Sequence, residues 1–199
     1  MRGRPREFDR DEALDRALDV FWDKGYGAAA IGDLTRAMGI GRQSLYDTFG
    51  DKHSLYLEAL RRYAERRLVQ ARETFEAEGT PLENLRVFFA EWREEALDGT
   101  CGCMMVNSST EVGAVDEAAA RIVENTMRRL EDLLAELLER ARTAGELTDL
   151  ASPRALARLI VDAANGMSAR SRMGLSADEV DDVLGALDAM LTVKARPAA

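Results

Sequence analysis

The sequence predicts an all-α fold of nine helices. Two observations predict it. Apolar residues recur at intervals of three and four from about residue 10 to residue 191, the period of a helix with one buried face. Runs that alternate apolar and polar residues with β-branched enrichment, as half-buried strands do, are absent.

The first helix runs from about Arg10 to Lys24, with Ala13, Leu14, Ala17, Leu18 and Phe21 as its stripe. Asp9 or Asp11 suits its start and Gly25 its end. Two short helices follow, about Ile31 to Met38 and Arg42 to Phe49, separated by Gly39-Ile40-Gly41. Asp51 fits the N-cap of a long helix reaching about Glu78, whose charged second half, Arg61 to Arg72, reads as a solvated face. His53, the single histidine, is expected to be exposed at its start. Pro81 sits in the first turn of a fifth helix ending near Leu97. Residues 98–102 read as a loop, Cys103 to Val112 as a short sixth helix, and Glu117 to Ala144 as a long amphipathic seventh. The last two span about Pro153 to Met173 and Ala177 to Leu191.

Composition sets bounds. A chain of 199 residues, 46% of them hydrophobic, buries enough surface to fold without staples. It lacks the run of about 20 apolar residues that spans a bilayer, and Met-Arg-Gly-Arg-Pro-Arg leads into acidic residues rather than a signal-peptide core. Two cysteines, Cys101 and Cys103, are too few and too close for a disulfide framework or a zinc site, so a reducing, cytoplasmic setting is expected, with no metal and no cofactor. The sequence has no His-Glu-x-x-His, phosphate-cradling glycine loop or nucleophile elbow, which argues against an enzyme. The net charge of −9 argues against a nucleic-acid ligand until it is divided. Residues 1–72 carry 14 basic and 12 acidic groups, and the remainder 13 and 24. The acidity belongs to the second part of the chain.

Residues 31–49 form a helix-turn-helix pattern: short helix, glycine-bearing turn, short helix. Ile31, Leu34, Ile40, Leu45 and Phe49 can pack inward, leaving Arg42, Gln43, Ser44, Tyr46, Asp47 and Thr48 outward. Arg, Gln, Ser and Tyr are side chains that read base edges or hold phosphates, and the first two lie at the end of the helix that enters a major groove.

The stretch from Gly39 to Lys52, Gly-Ile-Gly-Arg-Gln-Ser-Leu-Tyr-Asp-Thr-Phe-Gly-Asp-Lys, resembles the signature of the TetR/AcrR family of transcriptional regulators. Ala17 to Tyr26 and Ile31 to Leu34 resemble that family's first helix and the start of its second. The resemblance covers about residues 10–60 and implies a homodimer. Residues 1–50 would bind DNA, preceded by a basic arm over residues 1–8, and residues 51–199 would bind a small molecule and dimerise. It further implies that Tyr46 holds a phosphate, that Lys52 touches the DNA backbone, and that Arg42, Gln43 and Ser44 read bases. The chain departs from the family where Ala29 and Ala30 replace a capping Ser or Thr before the second helix. It departs again at Asp47, which either accepts from a cytosine amino group or pairs with Arg42.

Other features keep two readings. The arginine arm, represented by Arg4, fits an A·T-rich minor groove or is a tail screening the acidic part. Phe88, Trp92, Met104, Asn107, Glu111, Met127 and Asn165 are candidates for a ligand pocket, with ordinary core packing as the alternative. Cys103, with Cys101 as partner, is a candidate redox or electrophile sensor or a packing residue. The last two helices form the dimer interface or an intramolecular bundle. The expected function is a repressor released from a palindromic operator by a small molecule. The alternative is an architectural or cell-cycle DNA-binding factor without an inducer.

Overall fold

The computed structural model describes residues 8–98 and 101–192. Nine helices and no strand are found among them: α1 (Arg10–Ala28), α2 (Ile31–Met38), α3 (Arg42–Phe49), α4 (Lys52–Glu76), α5 (Pro81–Asp98), α6 (Met104–Glu111), α7 (Glu117–Thr143), α8 (Pro153–Ser171) and α9 (Ala177–Leu191). Count and order agree with the sequence reading.

The ends are chemically specified. Asp9 caps α1 by accepting from the Asp11 and Glu12 amides at 2.8 and 3.0 Å. Asp51 caps α4 through the Ser54 amide at 2.6 Å, and this bond draws its carboxyl below the ordinary range. Ser176 and Glu179 form a reciprocal capping box at α9. Several ends shift by a residue or two, α4 stopping at Glu76 and α8 at Ser171, and the largest difference lies in α1. It continues to Ala28 rather than stopping at Lys24, but breaks at Gly25, whose φ of 79° few other residues adopt.

The interior consists of two apolar clusters. The first joins α1–α3 to the first half of α4, α6 and the start of α7, with Leu34, Leu45, Leu55 and Leu60 fully covered. The second joins the end of α4, α5, the rest of α7, α8 and α9, around Leu134, Leu137 and Leu138. Helices α4 and α7 pass through both, so the head and body share rigid rods rather than a linker.

The charged half of α4 is not simply a solvated face. Arg62 clamps Asp15 of α1 with Nε at 2.5 Å and Nη2 at 2.9 Å, and Arg67 turns inward to Glu95 of α5. These long side chains lie beside the buried stripe, which their methylene stems extend.

Candidate nucleic-acid interface and ligand cavity

Helices α2 and α3 meet at the turn Gly39–Gly41. Gly39 adopts φ 67°, a left-handed conformation, and Ile40 donates to the Thr35 carbonyl at 3.1 Å. Leu34 and Leu45 are fully buried and Phe49 nearly so, which fixes the rotation of α3 and turns its opposite face out. Arg42, Gln43, Tyr46 and Asp47 are exposed there, and Ser44 and Thr48 are half-buried. Among the described residues Arg42 makes no ion pair. Ala30 provides no side-chain cap for α2, as its residue type predicts.

Asp47 does not pair with Arg42. Its carboxylate accepts from Gln43 Nε2 at 2.8 Å. Residues four apart share a helix face, whereas five apart diverge. Gln43 is thereby oriented before any DNA arrives. Lys52 sits at the start of α4, with Nζ 4.6 Å over the Tyr26 ring and 3.4 Å from the Gly27 carbonyl. Arg4 and the other residues of the basic arm up to residue 7 lie outside the described residues.

A cavity of about 330 Å³ lies at the seam of the two apolar clusters. Trp22, Tyr63 and Met105 reach it from the first cluster, and Phe88, Trp92 and Met167 from the second. Met127 and Asn165 line it as well. Arg67 and Glu95 face it as a bidentate ion pair, one arm of which, Nη2 to Oε2, measures 2.9 Å. Asn165 spends only a long 3.9 Å contact on the Met127 thioether. Cys101 and Cys103 are both free, half-buried and at the wall. Burial, with Cys103 beside its hydroxyl, pushes the Tyr63 phenol well above its ordinary value.

Three candidate ligand residues lie elsewhere. Met104 is buried in the first cluster and does not line the cavity; its neighbour Met105 takes the wall position. Asn107 donates to the Cys101 carbonyl at 2.7 Å and closes the loop before α6. Glu111 accepts from the amides of Tyr26 and Gly27 at 2.9 and 2.7 Å. Neither Asn107 nor Glu111 lines the cavity; each meets a backbone group instead.

Helix α6 therefore carries a different contact at each end. At its start, Cys103 N–H donates to Ser168 of α8 at 2.7 Å, and Trp22 Nε1 donates to the Gly102 carbonyl at 2.6 Å. In its middle, Tyr56 of α4 donates to Ser108 at 2.7 Å. At its end, Glu111 holds the turn that leads into α2. Just beyond, Asp116, the N-cap of α7, meets the His53 ring at 2.7 Å. His53 is half-covered rather than free. Burial opposes ionisation of Asp116, but the Ala119 amide and His53 together hold its carboxyl below the ordinary value. The sequence reading missed Trp22, Tyr63, Arg67, Glu95 and the His53–Asp116 pair. For Tyr63 the signal was present, since it lies on the buried stripe of α4 with Ala59 and Leu60.

Comparison with known proteins adds three findings. Residues 13–59 match the family described as bacterial regulatory proteins, tetR family, and residues 81–187 match the tetracyclin repressor-like C-terminal domain. The chain is 34% identical over 186 residues to the uncharacterized HTH-type transcriptional regulator YezE of Bacillus subtilis (strain 168), covering 90% of this chain and 94% of that one. It is 30% identical over 187 residues to the HTH-type transcriptional repressor ComR of Escherichia coli (strain K12), covering 92% and 89%. Among solved structures, a cysteine mutant of the TetR family transcriptional regulator CifR, complexed with 26-base-pair operator DNA, is similar with a TM-score of 0.79 and 28% identity, covering 95% of this chain and 100% of that one.

Proposed function

This chain belongs to the tetR family of bacterial transcriptional regulators, and on that premise we propose that it is a homodimeric repressor released from a palindromic operator when a small molecule fills the seam cavity. Residues 1–50 form the DNA-binding unit, with residues 1–8 as its arm, and residues 51–199 the effector and dimerisation unit. The observation that carries the reading is the outward face of α3. Arg42, Gln43 and Ser44 lie at the entering end as base readers, with Asp47 and Thr48 one turn on, and Tyr46 and Lys52 flank them as phosphate contacts. The likeness to a regulator solved on operator DNA supports it.

Two copies join through α8 and α9. Leu159 and Met190 stay 43% and 40% exposed on these helices, and the small residues Ala155, Ala163, Gly166 and Ala186 around them allow close approach. Such an isologous pairing sets two α3 helices at one spacing, which a palindrome matches.

Release works through differential affinity: the ligand must favour an arrangement in which the two α3 helices no longer fit successive grooves. Helix α6 connects cavity and head. A molecule that separates the walls displaces its start, and Glu111 carries the displacement to the turn before α2. A second reading concerns the thiols. Cys103, beside Tyr63 and near Arg67, is positioned as a sensor of oxidants or electrophiles, with Cys101 as its partner. Release of DNA by an electrophile from wild type and equally from Cys103→Ser contradicts it. No helix among the described residues is long and apolar enough to cross a membrane, and we place the protein in the cytoplasm.

Selection from a pool of random duplexes tests the main reading. It predicts enrichment of an inverted repeat by the wild type and loss of enrichment by Arg42→Ala/Gln43→Ala. Recovery of no common sequence contradicts it.

A further inference from the structure

We infer that the seam cavity takes an uncharged, flat aromatic molecule carrying one amide- or carbonyl-type group, an inference that rests on the cavity being the effector site.

Size comes first. About 330 Å³ stands at the low end for small-molecule sites, roughly 300–1,000 Å³, and suits a bicyclic ring system. The walls set the class. Trp22, Tyr63, Phe88 and Trp92 present rings from three helices, with Phe88 and Trp92 tilted at 4.6 Å between centroids. Met105 and Met127 add polarisable surface that adapts to a flat guest.

Charge then disfavours ions. Arg67 and Glu95 are each other's counter-ion at the cavity wall. An anion that takes Arg67 must displace Glu95, and it meets Glu95 and Asp98 as like charges along the wall. A cation that takes Glu95 leaves Arg67 with the neutral Gln70 Oε1 at 3.1 Å in place of a counter-ion. The two side chains keep 28% and 46% of their surface exposed, so a charged guest exchanges one solvated ion pair for another and gains little by it. A neutral guest leaves the pair closed.

The remaining polar capacity places the functional group. Thr126 donates to the Ile122 carbonyl at 2.6 Å and Ser171 to the Ser168 carbonyl at 2.8 Å, so both of these protons are spent, while Ser168 Oγ is held by the Cys103 N–H at 2.7 Å. The Asn165 carboxamide has only the thioether at 3.9 Å, a weak acceptor. It offers a donor and an acceptor to a guest that carries the complement, and a planar amide satisfies both.

Three substituted probes of one skeleton, 2-naphthamide, 2-naphthoate and 2-naphthylmethylammonium, with plain naphthalene as the reference, test this by calorimetry on the full chain at neutral pH. The amide is expected to bind about tenfold or more tightly than either ion, and Asn165→Ala to weaken the amide by about tenfold while leaving plain naphthalene unchanged. An ion that binds as well as the amide, no binding by any of the three, or equal weakening of amide and naphthalene overturns the proposed class. The wild-type comparison of charges stands whether or not the variant folds. The effector-site reading fails separately, if filling the cavity by Ala164→Trp in a folded protein leaves operator affinity unchanged.

Discussion

The carboxylate of Glu111, at the end of α6, accepts the backbone N–H of Gly27 at 2.7 Å, and it holds Tyr26 in the same way at 2.9 Å. One side chain thus ties the helix that starts at the cavity to the turn that leads into the DNA-reading pair. Removing it tests the coupling. Glu111→Ala is expected to cost about 1 kcal/mol of stability and to speed exchange of the Tyr26 and Gly27 amides. Operator release by a cavity ligand should weaken more than operator binding does. Unchanged amide exchange would show that the bond does not hold the turn.

Gly25 is coupled to the same carboxylate. At φ 79° a Cβ would lie 2.6 Å from Glu111 Oε2. Gly25→Ala combines a left-handed penalty of about 1–2 kcal/mol with that clash. The double variant Gly25→Ala/Glu111→Ala relieves the clash, so its loss should be smaller than the sum of the two singles. Additive losses in denaturant titration would contradict the contact.

On the DNA-facing side, contacts of two kinds separate by their salt dependence. Gln43→Ala should cost about 1–3 kcal/mol on the preferred operator and little on other sequences. Asp47→Ala, which frees Gln43 from its 2.8 Å bond, should relax specificity at the base that Gln43 reads. Lys52→Ala should weaken binding on all sequences and reduce the salt slope by about 1. Deleting residues 1–6 should flatten the slope further. Operator titrations across a salt series decide each case.

The pair His53–Asp116 gives a pH signature. The carboxyl of Asp116 is held below its unfolded value, so its contribution is present above the ordinary aspartate pKa of about 3.9 and is lost as pH falls through the folded value. Asp116→Ala, which also removes the α7 cap, should cost about 1 kcal/mol at pH 7. The difference from wild type should shrink below about pH 4. A deficit independent of pH down to about pH 3 would contradict the assignment.

Much of this was legible in the sequence, for physical reasons. Helix ends are set locally, by Asp9, Asp51, Ser176 and the glycines, and local chemistry reads directly. The α3 face followed from Leu45 and Phe49 standing four apart. The cavity was only partly legible. Phe88, Trp92 and Met127 were found because large apolar residues on a body helix have few alternatives, and Asn165 because a carboxamide inside the apolar stretch Leu159 to Met167 needs a partner. Met104 falls away from the cavity because periodicity shows that a face is buried, not which of two clusters buries it. Glu111 was assigned to the pocket rather than to the turn before α2 because its partners are backbone amides 84 and 85 residues away, which no side-chain pattern marks. Arg67 escapes it because an arginine in a charged run resembles a solvated one until the fold brings Glu95 to it.

The most direct test needs no ligand. Ala164, at the cavity wall on α8, is replaced by Trp, and affinity for the selected operator is measured by fluorescence anisotropy beside a thermal melt. A filled seam should lower operator affinity by about tenfold or more while the protein stays folded and dimeric. A folded Ala164→Trp dimer that binds its operator as tightly as wild type would contradict the link between the cavity and α3.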